Sequence, residues 1–104
     1  MAFLNRDAIF HRPFQKWWTG ECVPSSDDPV QLVTSCDTMV DAVIIQAKHD
    51  NQHVIYIGDS SDNQYFELSP GETITLPVND ITSIYVRRTS GSTGDGVNFI
   101  AGVF

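Results

Sequence analysis

Apolar and polar residues alternate with a period of two over most of the chain from residue 30 onward. This is the period of a β-strand, whose successive side chains point to opposite faces, whereas a helix repeats every ~3.6 residues. Tracts rich in Gly, Pro, Asn, Asp and Ser separate the alternating runs, as expected of turns. The pattern predicts seven strands, over residues 30–36, 39–48, 53–58, 64–68, 73–76, 81–88 and 97–104.

The seven short strands predict an all-β fold, an antiparallel β-sandwich or small barrel of about seven strands. In the second strand, Val43, Ile45 and Ala47 share one face. The apolar last strand, 97–104, needs to be covered. We expect its own sandwich to cover it, with a neighbouring subunit as the alternative. Evidence for helix is poor, and the best candidate is a single turn over residues 5–10.

Residues 1–20 differ in composition from the rest of the chain. They hold three of its six Lys and Arg residues, five of its aromatic residues and a single acid, for a formal charge of +2. The chain from Glu21 onward carries −9. We therefore predict an extended N-terminal arm over residues 1–29 and a β-sandwich domain over residues 30–104. The residues expected to bind a partner are Phe3, Arg6, Phe10, Arg12, Phe14, Lys16, Trp17 and Trp18.

This basic, aromatic leader needs a surface on which to order. Burying five aromatic rings stabilises a segment about as much as ordering twenty residues costs it. The surface can be an open end of the leader's own sandwich or another molecule with acidic patches. We favour docking on another molecule, because a charge contrast of this kind favours association between chains.

Composition excludes several classes of function. The net charge of −7 disfavours nonspecific binding of nucleic acid, whose phosphates would be repelled. No run of apolar residues is long enough to predict a transmembrane helix. Charged residues interrupt the apolar positions near the N-terminus, so no signal peptide is predicted. We expect a protein made in a cytoplasm, without a nucleic-acid or membrane partner.

The two cysteines do not form a zinc pattern. Cys22 and Cys36 stand without a second cysteine pair or a nearby histidine cluster. Two reduced, partly buried thiols are the favoured interpretation, and a disulfide between them is the alternative. His49 and His53 are four residues apart, but the spacing spans a turn rather than a helix face, so no metal site is predicted there.

Two loops contain residue types that can bind ions. The loop 59–63 has oxygen ligands suited to calcium but lacks the terminal bidentate Glu, so ordinary turn chemistry is favoured. The loop 89–96 is rich in Gly and Ser but has no phosphate-binding Lys, which favours a flexible hairpin tip. No Ser-His-Asp or Cys-His arrangement can be recognised from spacing. We therefore predict no catalytic residue, cofactor or metal, and a protein that is not an enzyme.

Three segments resemble a known pattern. Residues 54–60 (VIYIGDS), 68–74 (LSPGETI) and 84–86 (IYV) are similar to the corresponding runs in small β-sandwich virion proteins of tailed bacteriophages. Those proteins include capsid decoration (cement), head-fibre and neck or tail components. The resemblance covers residues 40–104 and leaves the leader outside. Its anchors have folding roles: Gly58 and Gly71 suit tight turns, and Tyr56 and Tyr85 are expected to face one another across strands.

The resemblance implies a structural protein of a tailed-phage virion. The most direct expectation is a capsid decoration (cement) protein that binds the outer shell through its arm and stabilises contacts between capsomers. Its expected partners are the major capsid protein and copies of itself in a homotrimer, and its location is the capsid exterior. The alternative is a neck, tail or head-fibre component that binds a host surface or glycan through the loop 89–96 or through Tyr65 and Phe66.

Overall fold

Eight strands form the core of the computed structural model, which describes residues 13–36 and 39–104. They are β1 (Lys16–Cys22), β2 (Val30–Gln31), β3 (Ala42–Ala47), β4 (Ile55–Gly58), β5 (Phe66–Leu68), β6 (Thr73–Leu76), β7 (Tyr85–Arg88) and β8 (Val97–Val103). A 3₁₀ turn, Ile81–Ser83, precedes β7. The helical turn predicted over residues 5–10 lies outside the described residues.

The strands form two four-stranded antiparallel sheets. Sheet A has the order β1-β8-β3-β6 and sheet B the order β2-β7-β4-β5. Among the described strands, only β4 and β5 follow one another within one sheet; the other connections cross between the sheets. This order is that of a jelly roll, two interleaved Greek keys. The predicted all-β sandwich is confirmed, and its connectivity is now defined.

The core lies between the inner faces of the two sheets. Val43, Ile45 and Ala47 are fully buried, so the face that they share in the sequence pattern is the core side of β3. From sheet B, Ile55 and Val86 are equally inaccessible. The large buried surface of these aliphatic side chains is the main stabilising contribution to the fold.

The sandwich begins earlier in the chain than predicted. Lys16–Cys22, which the sequence analysis assigned to the arm, pairs with β8 along its whole length, from Lys16 opposite Val103 to Cys22 opposite Val97. Trp18 and Cys22 pack against the core. The predicted boundary at residue 30 therefore cuts off the edge strand of sheet A, and an arm of residues 1–29 is too long.

A glycine explains why β1 was not recognised. The inward positions of β1 are Trp18, Gly20 and Cys22, so the middle one adds no apolar side chain to the pattern. The Phe99 ring occupies that space, since a Cβ on Gly20 would lie 2.4 Å from its Cζ atom. The ring of Phe99 on β8 thus fills the core next to Gly20. As a result, apolar and polar side chains do not alternate along β1 in the sequence.

Two predicted strands have half or less of their expected length. The strand 30–36 is reduced to Val30–Gln31. The strand 81–88 begins only at Tyr85, because Asp80 caps the 3₁₀ turn by accepting a hydrogen bond from the Thr82 amide at 2.9 Å. Local side-chain capping competes with strand pairing in such segments.

Tyr56 and Tyr85 do not face one another. The register of β4 and β7 pairs Tyr56 with Arg87 and Tyr85 with Gly58. The Arg87 guanidinium carbon lies 4.1 Å from the Tyr56 ring centroid, in a cation–π contact. The expected aromatic pair is therefore replaced by a cation on a ring.

The last strand is covered by its own subunit. β8 lies between β1 and β3, and its residues Val97 and Ala101 are fully inaccessible. The sandwich therefore covers both edges and the inner face of this strand, as expected, while Ile100 lies on the outer face.

Because β1 belongs to the sheet, its two tryptophans should differ in their effect on stability. We expect Trp18→Ala to lower the free energy of unfolding by about 2 kcal/mol, since it removes a half-buried ring from the core. Trp17→Ala, the matched control on the opposite face, should change it by less than about 0.5 kcal/mol. Urea unfolding followed by circular dichroism measures both. Equal effects would show that β1 is not held as described.

Candidate interaction surface

The structure does not place all the residues expected to bind a partner on one surface. Four of them lie outside the described residues: Phe3, Arg6, Phe10 and Arg12. The structure brings Phe14 and Trp17 together on the outer face of sheet A, turns Trp18 inward and leaves Lys16 exposed. The tryptophan pair is thus divided between core and surface.

Phe14 docks on its own subunit. Its ring lies over Gly102, where a Cβ would come within 2.6 Å of the Phe14 Cγ atom. The ring also stacks on Phe104, with centroids 5.4 Å apart and planes inclined by 16°. The Gln15 amide extends the pairing of β1 by donating to the Val103 carbonyl at 2.7 Å. Phe14 thus packs against its own subunit, on the outer face of sheet A rather than over an open end of the sandwich.

Trp17 projects from the outer face and is 62% exposed. With Phe14, Ile44 and Ile100 it lines an apolar groove of about 280 Å³. An exposed tryptophan beside two isoleucines and a phenylalanine is a concentrated apolar patch at one corner of the sheet.

A second groove, of about 550 Å³, continues across the same face. Together the two grooves define what we call the sheet A face. Its main residues are Trp17, Thr19, Ile44, Gln46, Asn98 and Ile100.

This face is nearly free of net charge. Glu21 also lines it, but its carboxylate accepts a hydrogen bond from Lys48 Nζ at 2.5 Å. That hydrogen bond, in turn, raises the pKa of Lys48. A low net charge and an exposed tryptophan are two features that this face shares with protein interfaces.

The sequence held a signal for this face that the prediction did not use. Ile44 and Ile100 interrupt the alternation of β3 and β8 by placing apolar side chains on the outer side. Strands that are covered on both faces have near-continuous apolar runs, whereas strands with a solvated face alternate. The isoleucines at these two positions therefore mark the apolar part of the outer face.

A polar cluster closes one end of the sandwich. Asp95, only 2% exposed, accepts hydrogen bonds from the Gln52 amide at 2.8 Å, the His53 amide at 3.0 Å and the Ser92 hydroxyl. Burial alone would raise the pKa of Asp95, but these hydrogen bonds outweigh it and hold the pKa below its usual value. The buried carboxylate thus joins the loop after β3 to the loop before β8.

Ser92, His53 and Asp95 do not form a catalytic triad. His53 Nδ1 lies 3.2 Å from Ser92 Oγ, and Ser92 Oγ donates to Asp95. The serine therefore lies between the other two, whereas in a triad the histidine lies between the nucleophile and the carboxylate. Ser92 is also buried. This grouping holds the fold together, and the spacing of its members in the sequence gave no sign of it.

The loop 89–96 is more constrained than a flexible hairpin tip. It connects β7 in sheet B to β8 in sheet A, so it is not a hairpin. Asp27 Oδ1 accepts hydrogen bonds from the Gly91 amide at 3.0 Å and from Arg88 Nε at 2.9 Å. Asn51 pairs with both backbone groups of Gly96 at 2.9 Å. The prediction of a flexible contact loop is wrong for the base of this segment.

The other candidate sites hold ordinary turn and core contacts. Asp62 lies in a tight turn closed by a bridge between Ser60 and Asn63. Cys22 is half-buried, which raises the pKa of its thiol, and no disulfide joins it to Cys36.

Within residues 13–36 and 39–104, no group of three metal-ligating side chains occurs. The described part of the chain has no helix that is long and apolar enough to cross a membrane.

The hydrogen bonds to Asp95 predict how the stability of the fold changes at acid pH. A carboxyl whose pKa is lowered by folding stabilises the native state above its usual pKa of about 4, and this stabilisation is lost as the pH falls through the lowered value. We expect Asp95→Asn to cost about 1–3 kcal/mol at pH 7 and to flatten the loss of stability below pH ~4. Asp50→Asn, which removes an exposed carboxylate nearby, should do neither. Urea unfolding at several pH values measures this, and an unchanged acid profile in Asp95→Asn would contradict the assignment.

Comparison with known proteins indicates no family for this chain. No protein-family model, curated protein or solved structure matches the sequence or the fold. A jelly roll hosts many functions, so the topology alone selects none of them. The sheet A face, with Trp17 at its rim, is the surface that most directly indicates a partner.

Proposed function

We propose that this protein is a non-catalytic structural component of a tailed-phage particle, a capsid decoration (cement) protein on the capsid exterior. In this proposal the sheet A face, which includes Phe14 and Trp17 of the leader, binds the major capsid protein and stabilises contacts between capsomers. Copies of the chain associate as a homotrimer. The resemblance of residues 40–104 to small virion sandwiches supports the assignment to a phage particle.

The observation that carries the proposal is the sheet A face. Trp17 is 62% exposed there, beside Phe14, Ile44 and Ile100 in one apolar groove. Exposed apolar residues that occur singly are normal on soluble proteins, but a continuous patch marks an interaction site. A tryptophan in such a patch is a common energetic hot spot.

The distribution of charge supports attachment to a protein shell. The chain has a net charge of −7, which disfavours nucleic acid and keeps many crowded copies soluble. The leader is basic, with Arg6, Arg12 and Lys16 against one acid. Opposite charges on leader and partner fix the register of docking more than they add affinity.

The polar clusters support a role without catalysis. The Asp95 and Asp27 carboxylates are engaged by backbone amides and by neighbouring side chains within the fold. These hydrogen bonds hold the loops in place and use the carboxylate oxygens as acceptors within the fold. A small module in many copies can then hold a lattice together, because several weak contacts acting at once raise the effective concentration.

The test is binding of the purified protein to particles stripped of it. We expect Trp17→Ala to weaken binding at least about thirtyfold, as for a hot-spot residue, without loss of stability. Tyr65→Ala is the matched control, since Tyr65 is 83% exposed on the opposite edge. Equal binding by wild type and Trp17→Ala would remove the sheet A face from the proposal.

Copy number separates the shell from the neck. Quantitative mass spectrometry of intact particles should find hundreds of copies if the protein decorates the shell. Five, six or twelve copies would instead indicate a neck or fibre component at one vertex and would contradict the decoration role.

The second candidate is a host-surface or glycan-binding role in a neck or fibre. It is favoured by Tyr65 and Phe66, which are 83% and 55% exposed next to one another on the β5 side of sheet B. Exposed aromatic rings can stack on sugars. If this role is correct, the isolated protein binds glycans on an array and Tyr65→Ala abolishes the signal. Binding that is absent at millimolar glycan would eliminate this candidate.

A further inference from the structure

The two sheets are not closed against each other on the side of β5 and β6. A cleft of about 510 Å³ opens there between the outer strand of sheet B and the outer strand of sheet A. We call it the edge cleft. Its apolar lining is Ile57, Phe66, Ile74, Leu76, Val78 and Ile84.

The edge cleft exposes side chains that belong to the inside of a sandwich. Phe66 is 55% exposed, and Ile74, Leu76 and Val78 are only half-buried although they pack against the core. β5 and β6 are also the free edges of their sheets. Free edges offer unpaired backbone groups to an added strand, and apolar pockets select its side chains.

The part of the chain that forms the cleft strands is acidic in sequence. Residues 49–86, which contain β4, β5, β6 and the 3₁₀ turn, hold six acidic residues and no Lys or Arg. Arg87 follows this stretch directly, with its guanidinium over the Tyr56 ring. Asp59 lines the cleft itself. A segment with apolar side chains could pack against the apolar lining, and basic residues beside them could pair with the acidic residues near the cleft.

Residues 1–12 of this chain have that composition. They place Arg6 and Arg12 among apolar side chains, with Asp7 as their one acid. The apolar positions are Phe3, Leu4, Ile9 and Phe10. Twelve residues span up to ~40 Å when extended, more than enough to run along a free edge.

The reach of residues 1–12 admits the edge cleft of the same subunit and that of a second copy. Phe14 is fixed over Gly102 on the outer face of sheet A. β8 and β3 separate β1 from β6, a distance of three strand spacings or ~14 Å, which twelve residues can span. The proposed self-association of the chain selects the cleft of a second copy.

We infer that residues 1–12 of one subunit dock in the edge cleft of a second copy of the chain. The contact is head-to-tail, since one subunit gives its leader and receives another's. Repetition of a head-to-tail contact closes into a ring when the rotation allows it. This inference rests on the proposed self-association and names the site that produces it.

Complementation between two defective full-length variants tests the inference. The leader variant combines Phe3→Ser, Leu4→Ser, Ile9→Ser and Phe10→Ser, and keeps an intact cleft. The cleft variant is Phe66→Asp, which keeps an intact leader and alters a side chain that is more than half exposed. Sedimentation velocity of wild type should show an oligomer, and each variant alone should associate at least about thirtyfold more weakly. An equimolar mixture should form a dimer, because one leader then meets one functional cleft.

Controls keep this result separate from the proposed function. Tyr65→Asp changes the neighbouring exposed residue, which does not line the edge cleft, and should leave the oligomer intact. Trp17→Ala should also remain oligomeric while losing its binding to particles. Circular dichroism and urea unfolding confirm that each variant is folded.

Three outcomes would overturn the inference. A mixture that stays monomeric would mean that the leader docks on its own subunit. A leader variant that still forms the oligomer would place the contact elsewhere on the sandwich. Loss of the oligomer in Trp17→Ala would move the contact between copies to the sheet A face.

Discussion

The pairing of β1 with β8 determines most of what this molecule presents to a partner. The last five residues of the basic, aromatic leader, together with Glu21 and Cys22, are held in register against β8 at the edge of sheet A. Because side chains alternate along a strand, this register turns Trp18 into the core and Trp17 to the outside. One ladder of backbone hydrogen bonds thus separates the aromatics that stabilise the fold from those available for binding.

The charges of the chain are divided by their structural roles. Buried or partly buried charges, such as Asp95 and Arg88, fasten the loops at one end of the sandwich. The sheet A face carries little net charge, since Glu21 is neutralised by Lys48. The acids of residues 49–86 lie without a basic residue in that stretch of sequence. A face of little net charge and a cleft lined by the Asp59 carboxylate are therefore both present on one small domain.

The sequence predicts the fold class well and the interaction surface only in part. Alternation identifies β3, β6 and β8 because their core positions carry large apolar side chains, as Val43 and Ile45 do. It misses β1, where Gly20 leaves room for the ring of Phe99. The cluster around Asp95 joins residues about forty positions apart, and such contacts depend on the crossing of chains between sheets. Composition shows that the leader differs from the rest of the chain. Only the pairing of β1 with β8 decides that Trp17, rather than Trp18, faces outward.

The central claim is that the protein binds its partner through the sheet A face, with Trp17 at the contact. Cryo-electron microscopy of the intact particle at side-chain resolution tests it most directly. The account predicts that the Trp17 ring is buried against a neighbouring protein, with Ile44 and Ile100 covered beside it and Tyr65 exposed. A map in which Trp17 faces solvent while another surface of the sandwich meets the shell would contradict it.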